Sequence, residues 1–289
     1  VAELVNGGKT DINITLDKDI DLTGKGWTPI GTNYENRYKG TFDGRGHTIK
    51  GLTVTTNDQF VGLFGYLDRA GTVKNVVMED IQITSNHVLM SGNTGGVVGY
   101  SWGTIENCSV SGSVSGTNCV GGVVGSQKVG SIIGCSSSAI VKGTRYVGGV
   151  AGEKWGTMTA CYATGNVTLE FGSHNNLSGG GVVGLSGGNR VLACYAIGNV
   201  TSTGSSTGNV HIGGLLGDSY TEVTACYWKN NQEQGIGRNQ HSTAPEATKV
   251  DGATVKWQAA VDGMNTALQN ASSEWRYELK GALPTLRKQ

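Results

Sequence analysis

Proline and charge are what this chain has least of: 3 prolines in 289 residues, with charged side chains at 15%. Globular domains usually carry about 25% charged residues. No sign dominates either, since 22 basic residues face 22 acidic ones. A nucleic-acid partner would call for a basic excess or stripe, so none is expected. No apolar run approaches the ~18 residues that cross a bilayer, so this segment is not expected to insert into a membrane. No signal peptide or lipid-anchor cysteine opens the chain. A mature domain accounts for that as well as a cytoplasmic origin does, so the terminus does not decide location. Cys-x-x-Cys and His-Glu-x-x-His are both missing, and no metal or cofactor is expected.

Glycine is abundant, at 48 residues. It has no period of three, which excludes a collagen-like chain. Hydrophobic residues recur throughout, which excludes disorder. Abundant Val, Ile, Thr, Ser and Gly point to many short strands joined by tight turns.

The signature Gly-Gly-Φ-Φ-Gly, with Φ apolar, or a near variant, begins at Gly95, Gly121, Gly148, Gly180 and Gly213, and a looser copy begins at Val61. Successive starts differ by 34, 26, 27, 32 and 33 residues. Such periods mean a solenoid, propeller or array. Propeller blades need about 40 residues, so the shorter intervals favour one three-strand coil per repeat. Thirteen or fourteen residues after each full signature stand Cys108, Cys135, Cys161, Cys194 and Cys226. Three residues before each cysteine is an apolar residue: Ile105, Ile132, Met158, Val191 and Val223. Val110, Ser137, Ala163, Ala196 and Trp228 follow by two, and Val114, Val141, Val167 and Val200 by six. The later positions share the cysteine's strand face, whereas the earlier one does not, so the chain must bend just before the cysteine. This predicts an all-β, right-handed parallel β-helix whose regular stack ends near residue 230.

The signature form Gly214-Leu215-Leu216-Gly217 resembles the GLUG-motif repeat family. The resemblance extends to Trp27–Gly31, Gly40–Ile49, Gly51–Val54, Trp275–Tyr277 and Leu283–Leu286, and so to most of the chain. It implies similarity to secreted or cell-surface proteins of gut bacteria, in which such repeats also occur beside adhesin and immunoglobulin-A-protease regions. An extracellular or cell-surface setting, with adhesion, is the corresponding expectation.

Residues 1–25 are expected to form an N-terminal capping segment, 26–232 the solenoid, and 233–289 a C-terminal cap with a helix and a closing strand. Val1–Asn6 reads as the tail of an amphipathic helix that covers the first coil. Trp257, Val261, Met264 and Leu268 share one helical face, expected to bury against the last coil.

Six cysteines invite a disulfide reading. In-register neighbours lie about 4.8 Å apart, however, and a disulfide needs Cβ atoms about 3.8 Å apart. A ladder of buried thiols is therefore expected, with Cys119, outside the column, as the exposed thiol. Gly99–Gly103 and Gly184–Gly188 match the hydrolase pattern G-x-S-x-G, but both occupy the same repeat turn and no helix follows. His47, His87, His174, His211 and His241 read as surface turn residues. Asp43, Arg45 and His47 stand together, yet Asp43 has no acidic partner for sugar hydrolysis, and a tight Asp-Gly turn explains it.

Seven residues after each signature start come Trp102, Lys128, Trp155, Gly187 and Tyr220. Aromatics on alternate coils would form a stripe about 19 Å long, suited to stacking on sugar rings. Local packing of the same rings over their turns is the competing account. Tyr162, Tyr195 and Tyr227, directly after Cys161, Cys194 and Cys226, read as a structural stack. The expected function is a non-catalytic, monomeric adhesion or glycan-binding module. Its candidate ligand residues are Trp102, Trp155 and Tyr220, and its partner a host or microbial glycan or surface protein. The alternatives are a carbohydrate-active β-helix enzyme, a polysaccharide lyase or hydrolase, and a structural spacer.

Overall fold

A computed structural model describes residues 1–89, 91–171, 176–206 and 208–289. The chain winds into a parallel β-solenoid of about seven turns. A full coil has four short strands rather than the expected three, or five where the last breaks in two, as at Ser136–Ser137 and Ile140–Gly143. In one coil they are Asn93–Gly95, Val98–Ser101, Thr104–Glu106 and Ser109–Ser115. The extra strand arises because the Gly-Gly pair bends the chain inside the signature, so the strand before it and the strand after it join different sheets. Among the described residues these four strand types stack into sheets of six, seven, eight and thirteen strands, called here the first to fourth sheets in the order just given.

Register is exact to the repeat. Gly95 pairs with Gly121, Gly121 with Gly148, Gly148 with Gly180 and Gly180 with Gly213. The interior is thin, and glycine is what allows it. A Cβ on Gly122 would collide with the Ser137 side chain on the opposite wall, and one on Gly149 with Ala163. The second glycine of the signature and the residue two after the cysteine are thus facing halves of one contact. Val97, Val98, Val123, Val124, Val182 and Val183 fill the rest of the core.

The bend before each cysteine is a left-handed residue. Asn107, Ala160, Ala193 and Ala225 have φ of 51°, 54°, 53° and 50°, and Gly134 has 62°. This reversal turns the cysteine inward after an inward residue three positions earlier. The five column cysteines are buried and unbridged. Each thiol donates to the carbonyl two residues before it, from Cys108 Sγ to Glu106 O at 3.3 Å through to Cys226 Sγ to Thr224 O at 3.4 Å. Cys119 departs from expectation: it too is buried. It heads a first-sheet strand, covered by Glu153, whose Oε2 lies 3.7 Å from its sulfur.

Helix α1 (Ala2–Asn6) covers the first coil, with Val5 buried in the core and Asn6 bonded to Pro29 O and Gly31 N. Strands Ile14–Thr15 and Ile20–Asp21 pair with Thr41–Asp43 and Thr48–Lys50, so residues 1–25 supply part of a coil. At the other end Trp228 plugs the bore, its indole N–H donating to Gln232 O at 3.0 Å. Strands Ile236–Asn239 and Ala247–Lys249 add one more partial coil, so pairing continues past residue 232.

The tail is not an end cap. Helix α2 (Trp257–Asn270) and the hairpin Trp275–Lys280/Leu283–Lys288 lie along the flank, over the left-handed column. Trp257, Val261, Met264 and Leu268 are buried as a face, in a cluster with Ala160, Leu192, Ala193 and Tyr195 against which Tyr227 of the last coil also packs. Tyr277 Oη donates to Ala193 O at 2.9 Å, and Lys288 pairs with Glu106 at 2.7 Å. The flank accepts the tail because the column residues there are small: a Cβ on Gly134 would enter the Trp275 ring.

Candidate functional site

The last glycine of each signature brings the first and second sheets close together. At Gly99 an added Cβ would lie 2.9 Å from Asn93 O and 3.0 Å from Gly65 O. Only flanking side chains remain to shape the outer surface, and they form the walls of an open groove of about 800 Å³. Phe60, Asn93, Cys119 and Tyr146 form one wall, stacked in strand register. Tyr66, Tyr100, Ser126, Glu153 and Leu185 form the other.

One end of the groove is aromatic. Phe60 lies 5.4 Å from Tyr66 and 5.2 Å from Tyr100, and Tyr66 lies 4.9 Å from Tyr100 edge-on. Tyr34 adds a further exposed ring 6.2 Å from Tyr66. Burial pushes the Tyr66 phenol up to about 12, so it stays a hydrogen-bond donor at neutral pH.

The middle is polar and charged. Glu153 accepts from Ser126 Oγ at 2.8 Å and from the Trp155 indole N–H at 2.7 Å, and pairs with Lys128 at 2.5 Å. Burial acts to raise its pKa, but the Lys128 charge and the bonds from Lys128, Trp155 and Ser126 outweigh it and hold the carboxyl below its usual value. Arg145 stacks over Tyr146 at 4.4 Å and donates to Asn118 Oδ1 at 3.3 Å.

The aromatic column predicted from the repeat does align, since the residues preceding Trp102, Lys128, Trp155, Gly187 and Tyr220 pair in register. Its members differ in setting. Trp155 lines the groove and is 41% exposed. Its ring lies over Gly187, where a Cβ would come within 2.7 Å. Trp102 is half-buried, edge-on to Tyr66 at 5.7 Å and to Tyr34 at 6.2 Å. Tyr220 is 43% exposed beyond the groove lining, and its hydroxyl accepts from Arg238 at 3.4 Å. The even stripe is therefore replaced by a two-walled groove. Tyr34, Phe60, Tyr66, Tyr100, Tyr146, Arg145 and Glu153 were not among the candidates. The readable signal for most was register: Tyr66, Tyr100 and Glu153 directly follow the last signature position, and Phe60 and Tyr146 lead first-sheet strands.

Ser101 and Ser186, the serines of the two G-x-S-x-G matches, are buried inside the solenoid. Ser101 Oγ accepts from Gly103 N at 3.2 Å, and Ser186 Oγ from Lys154 at 3.4 Å. Asp43 makes the expected turn, accepting from Arg45 N at 2.9 Å, and also pairs with Lys74. His47 faces Asp19, and His87 and His241 are held by neighbouring turn atoms. His211 differs from expectation, sitting in strand Asn209–Gly213. His174 lies outside the described residues. Tyr162 and Tyr195 stack at 4.8 Å and 2°, and Tyr195 Oη donates to Pro284 O at 2.5 Å, so that column anchors the tail. Among the described residues no His, Cys, Asp and Glu cluster offers three metal ligands, and no helix is long and apolar enough to cross a membrane.

A family model described as "The GLUG motif" matches residues 90–115, the coil that carries Gly95–Gly99 and Cys108. This chain carries the GLUG motif. Halomucin of Haloquadratum walsbyi is 39% identical over 103 residues, 35% of this chain and 1% of that protein. A protein of Evansella cellulosilytica described as "Putative Gly-rich membrane protein" is 35% identical over 105 residues, 33% of this chain and 12% of that protein. The GLUG-motif chain thus spans a small fraction of the relatives it matches. A solved Bacteroides ovatus protein, described as a "putative immunoglobulin A1 protease", shares the fold with a TM-score of 0.72 at 20% identity, over 99% of this chain and 89% of that one.

Proposed function

We propose that this GLUG-motif solenoid is a non-catalytic module of a surface or extracellular protein, and that its groove binds extended glycans. One observation carries the reading: the groove joins exposed or half-exposed rings to fixed polar groups along the direction of coil stacking. From the Phe60 coil to the Tyr146 coil is three strand spacings, ~14 Å, a span for a few sugar residues. Rings suit the apolar faces of sugars, and Asn93, Asn118 and Glu153 suit their hydroxyls. The indole bond to Glu153 fixes the Trp155 ring before any ligand arrives, which lowers the entropic cost of binding.

Glu153 also speaks for binding over cleavage. A glycosidase needs two carboxyl groups flanking the bond, whereas Glu153 is the one acidic residue lining the groove among the described residues. Halomucin and the Gly-rich membrane protein support the surface setting by their names. A spacer shares this scaffold but has no use for a preorganised ring.

Calorimetry with oligosaccharides of increasing length tests the reading. Millimolar to micromolar binding that strengthens with length and is lost in Trp155→Ala supports it. Equal binding by Trp155→Ala, or none by the wild type to any extended glycan, favours the spacer.

A further inference from the structure

The charges in the groove do not cancel. Its lining contains two cations, Lys128 and Arg145, and one anion, Glu153. Lys128 is engaged by Glu153. At the far end, Arg238 is engaged by Asp218, and at the near end Arg37 by Asp68. Arg145 has no carboxylate partner among the described residues, and the sequence at 172–175 holds no acidic residue. It is not loose, however. Its guanidinium lies over the Tyr146 ring, and Nη1 is bonded to Asn118, so the fork is held at the groove wall. A chain with equal numbers of basic and acidic residues thus presents a fixed guanidinium, uncompensated among the described residues, in the same groove as an exposed indole.

A planar guanidinium with free donors matches a carboxylate bidentately, and does so better than a lysine. Its neighbour Glu153 repels an anion, so the ligand's negative charge must be local rather than spread along every face. Sugar hydroxyls would face Glu153, and the acid group would face Arg145. We propose that the groove selects an acidic polysaccharide, a chain of uronic acids, with one carboxylate seated on Arg145 and the sugar ring on Trp155. This rests on the glycan-binding reading above and specifies its ligand class.

The test compares oligogalacturonate with the same oligomer after carboxyl reduction, which keeps the backbone and removes the charge. Dextran and dextran sulfate serve as the neutral and sulfated arms. Wild type is expected to bind the uronate at least tenfold more tightly than its reduced form. Arg145→Gln should abolish that preference, and Arg145→Lys should restore only part of it. Circular dichroism of each variant checks that the solenoid is intact. Reduced oligomer bound as tightly as uronate, with loss in Trp155→Ala, overturns the acidic specificity and leaves glycan binding standing. Dextran sulfate bound as tightly as uronate overturns carboxylate recognition in favour of general attraction to anions. Absence of binding in all arms overturns both readings.

Discussion

Gly134 and Trp275 are 141 positions apart in the chain and in contact in the fold: the indole occupies the space that any side chain at position 134 would need. That contact shows how the solenoid holds its tail. The left-handed bend before each cysteine turns the backbone outward, and only small residues there leave a seat for the hairpin. Gly134→Ala should therefore lose stability twice, from a φ of 62° and from displacing the ring. The left-handed strain alone is worth about 1–2 kcal/mol, and denaturant unfolding should show at least that loss. Limited proteolysis should then cut near residues 250–256 faster than in wild type. A neutral Gly134→Ala would mean the tail is not seated on this column.

The thiols give a second expectation. All six cysteines are buried and unbridged. A thiol reagent should label none of them in native protein, and all six after unfolding without reductant. Native labelling at Cys119 would mean that Glu153 and Asn118 do not cover it.

Lys154 supplies a pH-dependent expectation. It is fully buried, bonded to Ser186 Oγ and Asn189 O. Desolvation pulls its pKa down to about 7, against partial opposition from Cys194 and Cys226. The unfolded lysine titrates near 10.4. Between these values the unfolded state holds the extra proton, so stability rises with pH, by at most about 1.4 kcal/mol per unit. Burial raises the Cys108, Cys161 and Cys226 thiols, which works against that slope once unfolded cysteines ionise above about pH 8.5. The clean window is thus pH 7 to 8.5. Lys154→Met should be more stable than wild type at pH 7, and flat across that window. Parallel slopes for the two proteins would show that Lys154 is not desolvated.

Trp102 should behave unlike Trp155. Packed against Tyr34 and Tyr66, it contributes to the wall itself. Trp102→Ala should cost about 1–3 kcal/mol, less than the 3–5 of a fully buried ring. Trp155→Ala should leave unfolding nearly unchanged while removing ligand binding. Equal stability of both variants would put Trp102 back among freely exposed rings.

The repeat made much of this legible. Glycine and cysteine columns give register directly, because each residue must match its neighbour one coil away. The bend before Cys108 follows from Ile105 and Cys108 both facing inward, and the structure supplies it as Asn107 at φ 51°. The four-strand coil was hidden because the Gly-Gly corner leaves no proline or polar break. The tail's position was hidden because an apolar helical face states that it is buried, not against what. The groove was only half visible. A search for aromatics at one repeat position finds Trp155 but not Tyr146 on the opposite wall, because the two walls face one groove only after the corner folds.

Hydroxyl-radical footprinting with bound oligogalacturonate tests the groove most directly, because it reports which rings the ligand covers. Protection should appear at Tyr34, Tyr100, Tyr146 and Trp155, with Tyr162 and Tyr227 on the opposite flank unchanged. Protection at Tyr162 and Tyr227 instead, or the same protection pattern in Trp155→Ala, would contradict a glycan site in this groove.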